Sequence, residues 1–166
     1  MPRLPSHKEN PMNLRSAALA MLVAAMCISA AEPKGEEKPA PDQQRMQGSW
    51  QMNTWIEGGQ VHGIPEGARL VISEDVMVFG VLKEKKVVGM KLRYTIDSAK
   101  APKEMDWIIE IKPGKSIKQL AIYSLENDTL KICMAPEGKP RPDEFKVGKG
   151  EARVLWTFTP VVDAPE

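Results

Sequence analysis

The pentapeptide Gln47-Gly48-Ser49-Trp50-Gln51 opens the first predicted strand, and the prediction of the fold starts from it. It follows a Pro-rich segment, and apolar and polar residues alternate along the chain after it. Alternation with a period of two is typical of a strand that buries one face. The predicted inward face carries Trp50, Met52, Thr54 and Ile56. Trp55 lies on the polar face, where it predicts either a bulge or an exposed aromatic side chain.

Seven further segments with the same period follow, separated by short turns rich in Gly, Pro or charge. Their approximate bounds are residues 68–73, 76–82, 88–96, 107–112, 120–124, 129–134 and 152–159. Hairpin-sized links without a crossover helix favour antiparallel pairing. The sequence therefore predicts an all-β fold, an eight-stranded antiparallel up-and-down barrel over residues 45–160, with a β-sandwich as the alternative.

Residues 1–31 have the features of a secretory signal peptide. Arg15 precedes the apolar run 17–28, and small residues end the segment at Ala30 and Ala31. Met12 is an alternative start, because a complete basic n-region follows it. The run is short for a bilayer span, so a retained anchor helix is the less favoured interpretation. We expect an exported protein, periplasmic or extracellular after cleavage.

Residues 32–44 are charged and rich in proline, which predicts a disordered linker. At its end, Asp42 is a candidate N-cap ahead of helix formers, so a short helical turn is expected before the barrel. Residues 161–166 are expected to form a fraying C-terminal tail.

Charge and cysteine content exclude several classes of partner. The chain has 23 basic and 22 acidic residues, a balance that gives no overall attraction for nucleic acid or anionic lipid. The mature part lacks an apolar stretch long enough to span a membrane.

Cys27 does not form a lipobox, because Met26 rather than a small residue precedes it. Cys133 is then the one cysteine of the mature chain, and its strand context predicts a buried small side chain.

Gly48 and Trp50 form a Gly-x-Trp motif at the start of the first strand, which resembles the signature of lipocalins. More of the chain is similar to a family of uncharacterised lipocalin-like domains common in planctomycete bacteria. The segments that carry this similarity are residues 46–50, 94–97, 101–106, 121–133 and 141–145. The resemblance implies an exported barrel with Gly48 and Trp50 as its structural signature. That family has no established activity, so no catalytic residue is implied.

The chain departs from lipocalins at the end of the barrel near Trp50. Lipocalins cover the tryptophan of this motif with an arginine close to the end of the last strand. Here that position reads Phe158-Thr159-Pro160, and Arg153 lies at the wrong end of the strand. This end of the barrel must therefore be sealed in another way.

Residues suited to catalysis are few. His62 is the only histidine after the signal peptide, and its Gly-rich loop favours a solvated side chain over a general base. A single histidine also argues against zinc, so neither a metal nor another cofactor is predicted. Asp97 and Asp106 flank a turn and could act as an acid–base pair, although turn capping is the favoured interpretation.

The candidate ligand-binding residues come from the predicted loop arrangement. Antiparallel alternation places residues 58–67, 83–86, 113–115 and 135–150 at the end opposite Trp50. His62 and Arg141 would then rim one mouth, with Ile56, Leu82 and Met134 forming an apolar throat below it. Arg141 is expected either to bind an anion or, as the favoured alternative, to make a local ion pair that pins its loop.

Three functional hypotheses remain open. The favoured one is a binding module for a small apolar ligand or a cell-envelope protein, because no nucleophile–base motif is recognisable. The others are a barrel hydrolase using His62 and Asp106, and a purely structural docking module. Inward tryptophans either line a pocket or fill the barrel, and the sequence supports both alternatives equally.

Overall fold

One short helix and nine strands make up residues 41–161, the part of the chain that the computed structural model describes. They are α1 Pro41–Arg45, β1 Gly48–Glu57, β2 Gln60–Val61, β3 Ala68–Ser73, β4 Val76–Lys83, β5 Lys86–Asp97, β6 Lys103–Lys112, β7 Lys115–Glu126, β8 Thr129–Met134 and β9 Val154–Pro160. The predictions for the signal peptide, for linker residues 32–40 and for tail residues 162–166 lie outside the described residues.

The predicted eight-stranded barrel is confirmed. Strands β1 and β3 to β9 pair in sequence order, all antiparallel, and β9 pairs with β1 to close the ring. The additional strand β2 is a two-residue hairpin partner of the end of β1, where Ile56 faces Val61. Two residues are too few to show a period, so β2 could not be predicted from the alternation of apolar and polar residues.

A bulge in β1 reverses the facing of its second half. Met52 pairs with Phe158 and Thr54 with Thr157, so Asn53 is the extra residue. Beyond it, Trp55 pairs with the inward Trp156 and packs against the core. Since paired residues share a face, the predicted inward facing of Thr54 and Ile56 is wrong. The predicted bulge is present, whereas Trp55 is not an exposed aromatic.

Aromatic side chains fill the middle of the barrel. The rings of Trp107 and Trp156 stack with centroids 5.6 Å apart and planes 3° apart. Phe79 lies 5.3 Å from Trp156 and 6.2 Å from Trp107. Trp107 and Phe158 are fully buried. The inward tryptophans therefore fill this level of the barrel instead of lining a deep pocket.

The end of the barrel that contains Trp50, here called the closed end, is sealed by α1 and the residue after it. Met46 is fully buried, and its carbonyl oxygen accepts a 2.8 Å hydrogen bond from Nε1 of Trp50. Asp42, within α1, is also buried, and its Oδ2 accepts hydrogen bonds from Lys103 at 2.6 Å and Tyr123 at 2.9 Å. The expected helical turn thus takes the place of the lipocalin arginine.

A second set of hydrogen bonds ties the β3–β4 turn to the closed end. Oε1 of Gln47 accepts a 2.6 Å hydrogen bond from the backbone N–H of Glu74. The hydroxyl of Tyr94 donates to the carbonyl oxygen of Glu74 at 2.9 Å. Glu74 has a φ of 56°, a conformation that an L-residue adopts only where its surroundings hold it. These bonds fix the turn beneath Trp50.

Candidate binding site

The barrel wall opens between β5 and β6. Their pairing stops at Arg93 and Ile108, although β5 continues along β4 to Lys86 and β6 continues along β7 to Lys112. Beyond that point, neither of the two facing edges has a strand partner on this side among residues 41–161. A groove of about 900 Å³ lies between them. We call it the slot, and the barrel end at which it opens, opposite Trp50, the open end.

Two facing glycines explain how the β4–β5 hairpin bends at this level. Gly80 pairs with Gly89, and a Cβ atom built on either would overlap the backbone of the opposite strand. Such a close approach is possible only for glycine, and it allows strong local coiling of the hairpin. From Lys86 to Leu92, β5 pairs with β4 and not with β6.

Apolar residues are incompletely covered both in the slot and on the β5 segment that leads into it. Val88 and Met90 belong to the same inward row of β5 as the buried Leu92, yet 52% and 39% of their surfaces are exposed. Ile111, on the opposite side of the slot, is 46% exposed. Inward-facing aliphatic side chains that stay open to solvent are a feature of ligand sites rather than of a packed core.

Basic side chains line the slot beside this apolar surface. Lys91 and Arg93 come from β5, and Lys112 and Lys115 come from the β6–β7 hairpin, while Glu110 is the one acidic residue of the lining. In the described chain, none of these four basic residues makes a salt bridge. Four basic side chains against the single carboxylate of Glu110 give the described lining a net positive charge, which favours an anionic ligand.

His62 does not face the slot. Its ring stacks on Trp55 with centroids 4.8 Å apart, and its backbone N–H donates to the carbonyl oxygen of Trp55 at 2.8 Å. The histidine is half-buried and covers one side of the tryptophan. Nε1 of Trp55 is buried without a hydrogen-bond partner among residues 41–161. This pair closes the β1 side of the open end.

Arg141 lies on the outer wall of the barrel and does not rim the mouth, so its predicted rim position is wrong. Its Nη1 donates to the carbonyl oxygens of Met105 at 2.9 Å and Ala121 at 2.6 Å. Its Nη2 is 2.7 Å from Asp106 and 3.3 Å from Glu104. The loop between β8 and β9 is therefore pinned, as expected, but by distant residues on β6 and β7 instead of by its own acidic neighbours.

This loop covers outward-facing apolar residues of the wall. Ile122 and Cys133 pair with each other on the outer face, yet both are fully buried. Pro142, which follows Arg141, is buried as well. Cys133 is thus a buried small side chain, as predicted, and burial raises the pKa of its thiol to about 11. Such a thiol carries little thiolate at neutral pH.

The two candidate acid–base residues, Asp97 and Asp106, each interact with different groups. Oδ1 of Asp97 accepts a hydrogen bond from the backbone N–H of Ala99, the turn capping that the sequence favoured. Asp106 binds both Arg141 and Lys118, the latter at 2.6 Å. Burial alone would raise the pKa of Asp106, but the hydrogen bonds from Lys118 and Arg141 outweigh it and hold that pKa below its usual range. A carboxylate whose pKa is lowered further below neutral pH, and which is held in ion pairs, is poorly suited to proton transfer at neutral pH.

Of the three predicted throat residues, only Met134 faces inward, where it is 8% exposed and belongs to the core. Ile56 faces outward because of the bulge, as described above. Leu82 also faces outward, since the inward Met77 and Phe79 place Val81 inside and its neighbour outside. Its predicted facing was wrong because β4 is apolar at nearly every position and shows no alternation. Ligand contact by these three residues stays a prediction.

A second, smaller depression of about 430 Å³ lies on the outer wall beside the β4–β5 hairpin. Arg69, Lys85 and Lys86 line it together with Leu82 and other aliphatic residues, and its described lining contains no acidic side chain. Nη1 of Arg69 is buried and has no hydrogen-bond partner within the described residues. A buried guanidinium nitrogen without an acceptor suits an anionic group.

Two other kinds of site are absent from residues 41–161. No group of three His, Cys, Asp or Glu side chains there could hold a metal ion. That region also contains no helix with the length and apolar character needed to cross a membrane. Comparisons with family models, with curated proteins and with solved structures found no match for the chain.

Proposed function

We propose that this domain is an exported, lipocalin-like binding module that holds an anionic amphiphile in the slot between β5 and β6. The observation that carries the proposal is the slot lining, in which four unpaired basic side chains lie beside the half-exposed Ile111. The uncovered inward row of Val88 and Met90 continues from this lining along β5. The signal-peptide prediction supports the proposed export, and the Gly-x-Trp motif supports the proposed relationship to lipocalins.

Each half of the ligand has its own surface in this arrangement. The apolar part would lie against Val88, Met90 and Ile111, where removing aliphatic area from water is favourable. The anionic head would lie among the basic side chains that line the slot, where charge-assisted hydrogen bonds stabilise it. Trp107 and Trp156 fill the level below, so the ligand is held along the slot and near its mouth.

A pair of ligands that share one tail and differ in head charge tests the proposal. Calorimetric titration with dodecanoate and with dodecyltrimethylammonium, each below its micelle concentration, compares the two heads directly. We expect dodecanoate to bind at least about tenfold more tightly, which corresponds to about 1.4 kcal/mol. Equal affinities, or no binding of dodecanoate, would contradict the proposal.

A charge-reversal variant locates the site. Replacing Lys112 and Lys115 by glutamate should weaken dodecanoate binding about tenfold or more, because two favourable contacts become repulsive. Lys100→Glu with Lys131→Glu is the matched control, since both lysines are exposed and lie outside the slot and the change in net charge is the same. A similar loss in the control would show that net charge, and not the slot, attracts the ligand.

A cell-envelope protein remains the second candidate partner, supported by a different observation. The edges of β5 and β6 that face the slot present backbone N–H and C=O groups without a strand partner on that side. An extended segment could add to such an edge by backbone pairing. Protection of the residue 87–91 amides from hydrogen exchange by an envelope extract, but not by dodecanoate, would favour this candidate.

A further inference from the structure

The exposed aliphatic side chains of the barrel are concentrated at one end. Among residues 41–161, every large apolar residue that is exposed lies at the open end, on β2, the loop after it, or the β4–β5 and β6–β7 hairpins. They are Val61, Ile64, Leu82, Val88, Met90 and Ile111. Scattered exposed apolar residues need no explanation, whereas this clustering marks an interaction surface.

The elements that carry these residues are connected. The backbone N–H of Leu82 donates to the carbonyl oxygen of Gly67 at 2.8 Å, which joins the loop after β2 to the β4–β5 hairpin. Met90 and Val88 then follow on β5, and Ile111 lies across the slot. The aliphatic surface therefore runs from β2 to β6 around the open end.

Lysines project from the same hairpins. The β4–β5 turn carries Lys83, Lys85 and Lys86 around Glu84, and the β6–β7 turn adds Lys112 and Lys115 beside Glu110. None of these five lysines makes a salt bridge in the described part of the chain. The two hairpins thus carry five lysines against Glu84 and Glu110, a local positive charge that the near-neutral composition of the whole chain does not reveal.

The chemistry of this surface distinguishes a lipid from a protein partner. Cores of protein interfaces are enriched in aromatic residues and Arg and depleted in Lys. The open end instead combines exposed aliphatic side chains with lysines, and its aromatic rings at Trp55 and Phe79 are packed against the barrel core. Lysines beside exposed aliphatic residues are typical of surfaces that bind anionic lipid headgroups.

We propose that the open end docks on an anionic lipid surface. The outward-facing aliphatic side chain of Leu82 enters the headgroup region, and the lysines at the hairpin tips bind lipid phosphates. The depression beside Leu82 takes one headgroup phosphate, for which Nη1 of Arg69 is the buried donor. This docking goes beyond ligand binding in the slot, because it uses the outer wall and the hairpin tips and does not require an occupied slot.

Vesicle sedimentation tests the docking. Residues 32–166 contain the complete barrel and lack the apolar N-terminal run, so they report on the open end alone. We expect binding to vesicles of phosphatidylglycerol mixed with phosphatidylcholine, and at least about tenfold weaker binding to pure phosphatidylcholine or at high salt. Absence of binding, or equal binding to neutral vesicles, would overturn the proposal.

Variants identify the surface and separate it from the slot. Lys85→Glu with Lys86→Glu should weaken vesicle binding about tenfold or more, and Arg69→Gln should weaken it by a smaller factor. Lys100→Glu with Lys131→Glu carries the same charge change on exposed residues away from the open end and should have little effect. An equal loss in this control would refute the assigned surface.

Leu82→Asp distinguishes the two proposals. Leu82 is 44% exposed and does not line the slot, so the variant should fold normally, lose vesicle binding and keep its affinity for dodecanoate. Vesicle binding that survives Leu82→Asp in a folded protein would overturn the docking proposal and leave the slot proposal standing. A protein that binds vesicles but not dodecanoate would overturn the slot proposal and leave the docking proposal standing.

Discussion

The two ends of this barrel contain different kinds of interaction. At the closed end, Asp42, Met46 and Trp50 are buried, and the polar groups of this set have hydrogen-bond partners. At the open end, Val88 is half exposed, and the lysines of the two hairpins are without ion pairs in residues 41–161. The closed end resembles a protein core, because its side chains are buried and its polar groups are hydrogen-bonded. The open end leaves apolar and charged groups accessible to a partner.

This difference indicates how the fold separates stability from binding. Buried polar groups such as Asp42 stabilise a structure only when their partners are held in place, which requires a rigid end. A binding end needs side chains that lack partners within the barrel. Side chains that are already paired or buried gain little further binding free energy from a ligand. Substitutions at matched positions of the two ends should therefore have very different effects on stability.

The largest difference is expected for the tryptophans. Trp50→Ala removes a buried ring and its hydrogen bond to Met46 and should lower the free energy of unfolding by about 3–5 kcal/mol. Trp55→Ala should cost at least about 1 kcal/mol less, since Trp55 is only partly buried and is covered on one side by His62. Urea unfolding of both variants measures this. Equal losses would mean that the open end is packed as firmly as the closed end.

A pair of carboxylates gives the next difference. Asp42→Ala leaves Lys103 and Tyr123 without their acceptor and should destabilise the domain by about 2–3 kcal/mol. Glu110→Ala at the open end should change stability by less than about 0.5 kcal/mol, because Glu110 is exposed and makes no salt bridge within residues 41–161. Thermal and urea unfolding at neutral pH compare them, and a large effect of Glu110→Ala would contradict the account.

The pH dependence of stability tests the same carboxylate. Burial raises the pKa of Asp42, but the hydrogen bonds from Lys103 and Tyr123 outweigh burial and hold that pKa below its usual range. A depressed pKa stabilises the folded state above the unfolded-state pKa of about 4, and this contribution is lost as pH falls through the folded-state pKa. Asp106 acts in the same direction. The stability difference between the wild type and Asp42→Asn should therefore be largest near neutral pH and shrink below about pH 4, and a constant difference would refute this role.

The smallest effect on stability is expected at the slot. Val88→Ser alters a half-exposed side chain and should shift the free energy of unfolding by less than about 0.5 kcal/mol. The same variant should weaken dodecanoate binding severalfold, because it removes apolar contact area. Unfolding and titration of one preparation check both statements. A large loss of stability would place Val88 in the core instead of in a binding surface.

The sequence predicted most of the fold because its strands alternate clearly. In β5, Leu92, Tyr94 and Ile96 alternate with exposed polar residues, and this pattern alone gives the correct inward row. Alternation failed where a bulge changed the register before Trp55, and in β4, where nearly uniform apolar character hides which face Leu82 occupies. Both errors arise because facing depends on register and not on composition.

The site itself was largely beyond sequence reasoning. The slot exists because β5 and β6 stop pairing at Arg93 and Ile108, and strand pairing between distant residues leaves no local signal. The partners of Arg141 on β6 and β7 are distant for the same reason. The facing pair Gly80 and Gly89 was visible as two glycines inside strands, a known sign of close backbone approach, and could have indicated where the wall opens.

The assignment of the open end as the binding end can be tested by amide NMR. Shifts recorded while dodecanoate is titrated into the labelled domain report on both ends of the barrel at once. We expect the shifts to concentrate in residues 86–93 and 108–116, on the two sides of the slot, while the signals of residues 42–50 at the closed end stay unchanged. Shifts centred on Trp50, or spread evenly over the barrel, would contradict the assignment of the open end as the binding end.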